Sequence, residues 1–377
     1  MAKIPFNRPY TTGLEIDYIR QAVACSHLSS DGRFSRLCEQ WLEQAVGCGR
    51  ALLTQSCTAA LEMAALLAGI GAGDEVVMPS FTFVSTANAF VLRGAVPVFV
   101  DISPDTLNID HRLIEAALGP RTRAIVPVHY AGVGCEMDPI VGLARDRGLL
   151  VIEDAAQALG STYRGTPLGR HGDLAATSFH ETKNVISGEG GALLVNDPAR
   201  VERAEIVREK GTDRRRFFRG EVDKYTWVDV GSSYGPNELT AAFLWAQMQQ
   251  ADVIRQARLE IWRWYHDALA EAERLGRLTR PRIPESCEHN AHMFYVLLND
   301  APTRARTLEA LNAGGVNAVF HYVPLHSSAA GRRFGRASGD LRHTDSVAGR
   351  LIRLPMWIGM QRADVDRAAT IVARATG

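Results

Sequence analysis

Lys183 lies in the stretch SFHETKN (178–184), between a threonine and an asparagine, and GEGG (188–191) follows it. A lysine withdrawn from water near other cations loses its proton readily and becomes an amine nucleophile. An aldehyde cofactor that carries a phosphate needs four groups around it: a lysine, an anion site, a carboxylate for its ring nitrogen and an aromatic platform. The chain offers a candidate for each. Asp154 closes the apolar run LLVIED (149–154), either as a helix cap or metal ligand, or as a carboxylate paired with a buried cationic group. Gln55, Ser56, Cys57 and Thr58 open a helix, whose free N–H groups and dipole favour an anion. Ser56 or Thr58 would serve equally well there as an N-cap. Phe83, in SFTFVST (80–86), is either core or a ring placed to stack on a flat cofactor. Lys183 itself is either a solvated loop lysine or the nucleophile, and the GEGG beside it reads as flexible.

The elements that must hold these residues follow from hydrophobic patterning. RALLT (50–54), DEVVMP (74–79), VPVFVDI (96–102), RAIVPVHY (123–130), LLVIEDAA (149–156), LAATSF (174–179) and GALLVN (191–196) are β-rich runs without polar alternation, as in strands covered on both faces. Helical spacing appears in TAALEMAALLAGI (58–70), FVSTANAFVLRG (83–94) and MDPIVGLARDRG (137–148), the last stopping at Gly148. This alternation predicts an α/β domain around a mostly parallel sheet. Ligands of such sheets sit beyond the carboxyl ends of the strands. Ser56, Thr58, Phe83, His129, Asp154, Ser178, His180 and Lys183 all fall at such ends. From Glu238 the pattern becomes continuously helical, bridging two domains or forming two helices in series. It then passes into HMFYVLL (292–298), TRARTLEALNAGG (303–315), VNAVFHYVPLH (316–326) and a final helix from about Asp364. We expect a large domain over 1–245 and a smaller α+β domain over 246–377.

Composition narrows the function classes. The 377 residues contain 42 Lys+Arg and 42 Asp+Glu, which leaves no basic excess for nucleic acid or an anionic membrane. The six cysteines form neither a CxxC pair nor a zinc-ligand spacing, so reduced thiols and no metal are expected. MAKIPFNRPY carries no apolar signal core, and no apolar run approaches ~20 residues, so a cytoplasmic chain without a membrane span is expected. Neither GxxxxGK[ST] nor a GxGxxG after the first strand occurs.

The chain resembles the DegT/DnrJ/EryC1/StrS family of pyridoxal-phosphate sugar aminotransferases, a branch of the fold-type I transaminases. The resemblance runs through QSCTAALE, GDEVVMPSFTFVSTANA, VPVFVDISPDTLNID, VPVHYAG, VIEDAAQALGSTYRG, SFHETKN with GEGG, REKGTDR, VGSSYGPNELTAA and HYVPLH. VPVHYAGVGCEMD, SFHETKN and VDKYTWVDVGSSY are most similar to the subgroup that makes dTDP-4-amino-4,6-dideoxy sugars. The resemblance implies pyridoxal 5'-phosphate as cofactor and a homodimer with shared active sites. It implies a nucleotide sugar with a 4-keto-6-deoxyhexose as acceptor and L-glutamate as amino donor. Lys183 would bond to the cofactor's aldehyde carbon and later move a proton. Asp154 would hold the pyridine nitrogen protonated, Phe83 would stack on the ring, and Gln157 would sit near its 3-oxygen. Ser56, Cys57 through its N–H, Thr58 and Ser178 would bind the phosphate, and His180 would line the pocket. Ser233 stands where many relatives have an asparagine that reaches the partner subunit's phosphate. SCT replaces their SGT. Arg214, Arg215, Arg216 and Arg219 in KGTDRRRFFRG (210–220) are diphosphate contacts or a solvated basic loop. His326 faces substrate or is structural. Two rivals remain: a sugar dehydratase of the family, which carries histidine in place of the lysine, and a non-catalytic sugar-nucleotide binder.

Overall fold

The computed structural model describes residues 3–377. The apolar runs of the first half become strands β1 (Arg50–Thr54), β2 (Glu75–Pro79), β3 (Val96–Val100), β4 (Thr122–Ile125), β5 (Leu150–Asp154), β6 (Leu174–Ser178) and β7 (Gly191–Val195). They form one sheet in the order β1-β7-β6-β5-β4-β2-β3, and a two-residue strand, Arg336–Ala337, extends its edge. Neighbours from β6 through β3 pair in parallel. Helices cover both faces, so β2, β6 and β7 are buried along their whole length, which is why their sequences lack alternation. Each fully buried Val, Leu or Ile contributes roughly 1.5–3 kcal/mol relative to exposure.

One strand departs from the parallel majority: β7 runs antiparallel to both β6 and β1. Residues 179–190 contain no helix, and a parallel return needs a crossover long enough to span the sheet. The run expected over 123–130 ends as a strand at Ile125, because Pro127 has no N–H to donate. Beyond it only Val128 bridges to Asp154.

The helices that matter for the site are α1 (Arg33–Val46), α2 (Cys57–Leu67), α3 (Val84–Val91), α4 (Met137–Asp146) and α5 (Val201–Arg208). Gly148, in the left-handed region at φ 63°, follows the end of α4. The long helical run breaks at Gln250 into α6 (Glu238–Gln249) and α7 (Ala251–Ala268). Leu244 of α6 packs with Phe34 and Leu42 of α1, whereas Leu259, Ile261 and Trp262 of α7 belong to a separate apolar cluster. That second cluster lies under a three-stranded antiparallel sheet of β8 (Leu278–Thr279), β9 (Phe294–Leu298) and β10 (Leu351–Leu354). α8 (Ala301–Ala313) and α9 (Arg362–Thr376) pack against it. Residues 317–326, the body of the VNAVFHYVPLH stretch, contain no strand. No helix among the described residues is long and apolar enough to cross a membrane.

Candidate active site

A cavity of about 580 Å³ opens at the carboxyl ends of the parallel strands. One wall comes from the large sheet: Ser56, Cys57 and Thr58 before and in α2; Thr82, Phe83, Ser85 and Thr86 at α3; Asp154 and Gln157 after β5; and Ser178, His180 and Lys183 after β6. The other wall comes from the smaller sheet and the irregular segment beside it, with His292, Phe320, His321, Tyr322 and Arg353. The structure thus brings Lys183, Asp154, His180, Ser56, Cys57, Thr58, Phe83, Gln157 and Ser178 into one enclosure.

Local folding explains several placements. β5 carries Glu153 and Asp154 side by side, and strand alternation sends them to opposite faces. Glu153 is fully buried, accepting from the N–H groups of Gly169 (2.8 Å) and Gly172 (2.7 Å) and pairing with His129 at 2.8 Å. His129 is therefore a structural partner of Glu153 rather than a residue of the rim. Asp154 faces the cavity, 5% exposed, and its Oδ2 accepts from Thr86 Oγ1 at 2.7 Å. Gln157 is held at both ends: its Oε1 accepts from Ala131 N at 2.7 Å and its Nε2 donates to Tyr322 Oη at 2.8 Å.

The loop after β6 is ordered by its own backbone. Phe179 N donates to Gly190 O (2.8 Å), Ser187 N to Phe179 O (2.7 Å) and Lys183 N to His180 O (2.8 Å). Asn184, next to the lysine, donates to Asn290 O at 2.7 Å, and its Oδ1 lies 3.1 Å from His292 Nδ1. The GEGG segment, expected to be flexible, begins with a left-handed turn at Gly188 and ends in β7. A Cβ on Gly191 would meet Cys57 N and the Ser56 carbonyl carbon at 2.4 Å. Only glycine lets β7 approach the start of α2 so closely.

At that helix start Ser56 Oγ accepts from Ala59 N at 3.1 Å, so the N-cap reading holds for its lone pair, while its hydroxyl proton is still available to an anion. Thr58 Oγ1 donates to Ser85 Oγ at 2.8 Å. The first N–H groups of α2 have no acceptor within the helix and face the same end. Phe83 stands 56% exposed on the rim, its ring centroid 6.4 Å from that of Tyr322. His180 Nδ1 is 3.0 Å from Thr182 Oγ1.

The electrostatics are dominated by cations. Burial pushes the amine of half-buried Lys183 below the ordinary lysine value, with the charge of Arg353 acting in the same direction and Asp154 opposing it. Burial, then Lys183, Arg258 and Arg353, hold His292 well below the usual imidazole value. His321 is depressed in the same way. Such an enclosure makes a lysine easier to deprotonate and favours anions.

The residues matched by the DegT/DnrJ/EryC1/StrS aminotransferase family model are 9–373. The chain is a member of that family. This DegT/DnrJ/EryC1/StrS protein is 36% identical over 372 residues to a GDP-perosamine synthase of Caulobacter vibrioides, covering 97% of this chain and 96% of that protein. It is 33% identical over 371 residues to the spore coat polysaccharide biosynthesis protein SpsC of Bacillus subtilis, covering 96% and 94%. Its fold superposes on the aminotransferase TlmJ of Streptoalloteichus hindustanus with a TM-score of 0.90 at 30% identity, covering 99% and 98% of the two chains. The family is one of sugar aminotransferases, and its cofactor is pyridoxal 5'-phosphate. The cavity fits that group. It has an anion cradle at α2 that a Cβ on Gly191 would obstruct, a buried carboxylate at Asp154, an exposed ring at Phe83 and a half-buried lysine among them.

Other residues singled out from the sequence lie outside the cavity of this aminotransferase. Ser233 is exposed, and its carbonyl accepts from Gln55 Nε2 at 2.9 Å. Arg215 is turned inward, donating to Asp31 (2.6 Å) and Glu205 (2.7 Å). Arg219 pairs with Glu205 and Glu221, Arg214 lies over the Phe218 ring, and Arg216 is near Glu202 and Glu221. His326 Nδ1 is 2.8 Å from Ser80 Oγ. In HYVPLH it is His321 and Tyr322 that line the cavity instead. That segment has no regular period, so sequence could not say which histidine faces in. Thr86 was legible in principle, three residues beyond Phe83 on one helix face. Arg353 was legible as the one charge in the strand LIRL.

Proposed function

We propose that the protein moves the amino group of L-glutamate to C4 of a dTDP-4-keto-6-deoxyhexose, giving a dTDP-4-amino-4,6-dideoxyhexose. The observation that carries this reading is half-buried Lys183 facing buried Asp154 in one cavity, next to the helix start at Ser56–Thr58. Pyridoxal 5'-phosphate supplies an aldehyde carbon and an electron-withdrawing ring. The chain's residues do the rest. Ser56, Thr58, Ser178 and the Cys57 N–H hold the phosphate, and Asp154, oriented by Thr86, keeps a proton on the ring nitrogen. Phe83 covers the ring, and Gln157, fixed by Tyr322 and Ala131, stands by its oxygen. Lys183 Nζ removes the proton from the α-carbon of the donor and, in the second half-reaction, delivers one to C4 of the sugar. His180 closes the pocket beside it.

The working unit in this reading is a cytoplasmic homodimer with shared sites. Ser233, Arg214 and Arg219 then serve a substrate or cofactor held partly by the other subunit, and the division into domains at about residue 245 gives each subunit one cavity between the two. Arg215 and His326 have the weakest case, because their polar atoms already have partners inside the chain. The relative named GDP-perosamine synthase supports a second reading, a GDP-linked acceptor. The dehydratase alternative is disfavoured by a lysine at 183. The test is incubation with pyridoxal 5'-phosphate, L-glutamate and a panel of dTDP-, GDP- and UDP-linked 4-keto-6-deoxyhexoses, with NMR of the product. Amine at C4 of the dTDP sugar is expected. Conversion of the GDP sugar alone selects the second reading, and deoxygenation without amine gain overturns both.

A further inference from the structure

His292 is buried, titratable and without a part in the chemistry described so far. It is 5% exposed and lines the cavity together with Lys183. The two residues also share a second, smaller gap with Asn184 and Asn290. The backbone of His292 is fixed from behind, where buried Arg258 of α7 donates to the Ala291 carbonyl at 3.0 Å and to the His292 carbonyl at 2.6 Å. Its ring is fixed by the residue next to Lys183. Asn184 Nδ2 donates to Asn290 O at 2.7 Å, and Asn184 Oδ1 lies 3.1 Å from His292 Nδ1. Turning that amide over would set its oxygen against the Asn290 carbonyl, so the orientation follows from the network. An amide oxygen cannot donate, so the hydrogen of the second bond belongs to Nδ1. The charged and titratable groups that act on the ring are Lys183 from the loop after β6, Arg258 from α7, Arg353 from β10 and His321 from the segment 317–326. Together with burial they keep the imidazole neutral. A neutral imidazole has one N–H. Nε2 therefore carries a lone pair, and it has no hydrogen-bond partner among the described residues.

We propose that His292 is a positioning residue for Lys183: its Nε2 lone pair accepts a hydrogen bond from the lysine amine and so steadies the proton that the amine carries during turnover. This rests on the aminotransferase reading above. In that reading the Lys183 Nζ lone pair takes the proton of the donor's α-carbon, and the C–H electron pair stays with the carbon. Nζ is then an ammonium in a buried site and needs an acceptor. Asp154 is committed elsewhere: its Oδ2 accepts from Thr86 Oγ1 at 2.7 Å, its Oδ1 from Ala156 N at 3.2 Å, and it serves the ring nitrogen. Among the charges acting on the His292 ring, that of Lys183 is the largest, and Asn184 ties the ring to the chain one residue from the lysine. A neutral base beside an ammonium makes a charge-assisted hydrogen bond without adding a charge. The proton stays on Nζ until C4 of the sugar receives it, and His292 neither gains nor loses one. The tautomer decides the effect, because a hydrogen on Nε2 would set donor against donor. Asn184 thus acts on Lys183 through His292.

The test compares wild type with His292→Asn, whose amide can replace Nδ1 alone, His292→Gln, whose amide reaches the place of Nε2, and His292→Phe, which keeps a ring with no lone pair. The first readout needs no substrate. Competitive acetylation of the cofactor-free full chain with acetic anhydride, followed by peptide mass spectrometry, gives the pH at which Lys183 is half-deprotonated. Loss of an acceptor for the ammonium is expected to lower that midpoint by about one pH unit in His292→Asn and His292→Phe, and by less in His292→Gln. The second readout is the single-turnover donor half-reaction of the cofactor-loaded enzyme with L-glutamate and its α-deuterated form. Its maximal rate should fall about 10- to 100-fold in His292→Asn and His292→Phe, with a larger isotope effect and a half-saturating L-glutamate concentration within about twofold of wild type. His292→Gln should recover part of the rate. In an Asn184→Ala background, His292→Asn should add less than about twofold, because the two residues act as one unit. A midpoint that stays or rises in His292→Asn, or a His292→Gln enzyme as slow as His292→Phe, overturns the proposal. If the midpoint shifts as expected but no amino donor reacts, the aminotransferase reading fails and the pairing of Lys183 with His292 stands.

Discussion

Two regions of the molecule bury charge, and they do it in opposite ways. Where α1, β1 and α5 meet the 212–219 segment, Arg208 is fully buried and faces Asp31 at 3.3 Å, Glu209 at 3.5 Å and Glu39. Arg50 pairs with Glu39 (2.9 Å) and Glu205 (3.4 Å), and Arg215 with Asp31 and Glu205. Every cation there has a carboxylate. In the cavity, Lys183, His292, His321 and Arg353 share one buried carboxylate, Asp154, since Glu189 stands exposed on the rim. The first region is closed electrostatically and has no need of a ligand. The second gathers buried bases, whose charged forms burial disfavours, around a single buried carboxylate, and its Arg353 has no ion-pair partner among the described residues. Charge balance therefore distinguishes a cluster that holds the fold together from one that waits for chemistry.

The contrast can be broken most directly at Lys183. Lys183→Ala should lower transamination by about four orders of magnitude, roughly 5 kcal/mol of barrier, while leaving the melting temperature of the cofactor-free protein unchanged or higher. A Lys183→Ala protein that turns over at the wild-type rate would sink the assignment. In the balanced region the expectation is reversed. Glu39→Ala leaves Arg208 buried with a partner missing and should cost about 3–5 kcal/mol in urea unfolding, with donor affinity little changed in the fraction that stays folded. A loss below about 1 kcal/mol would mean that the cluster does not hold α1 to α5.

The smallest effect is in pH. His292 is 5% exposed, and its folded value is depressed below that of the unfolded chain. Below about pH 6.5 the unfolded state binds a proton that the folded state refuses, so stability falls as pH falls. The expected slope from His292 is at most about 1.4 kcal/mol per pH unit between pH 6 and 5. His292→Asn should flatten the apo-protein melting curve over that range. An unchanged slope would place the titration on other groups.

The large sheet and half of the site were legible in sequence for a physical reason. Parallel strands covered on both faces must be continuously apolar, so β2, β5 and β6 announce themselves, and the residues just past their ends share one rim whatever the loops do. The placement of Asp154, Ser178, Lys183 and the start of α2 in one cavity follows from that rule, and the whole-chain resemblance is what suggests their roles. β7 escaped it because an apolar run has no sign of direction; only the helix-free loop over 179–190 turns it back. The diphosphate reading of KGTDRRRFFRG could not foresee that Arg215 meets Asp31, because ion pairing is decided by which surfaces fold together. His321, Tyr322 and Arg353 lie in segments without a usable period, more than 130 residues beyond Lys183 in sequence, and enter the cavity only because the smaller sheet closes over the larger. The sequence by itself determined the large sheet, the order of its elements and the lysine, carboxylate and helix start on its rim, since local patterning and strand ends carry that information. The tertiary structure alone decided the opposite wall and the sign of the field inside it, because those depend on contacts between surfaces that no local pattern records.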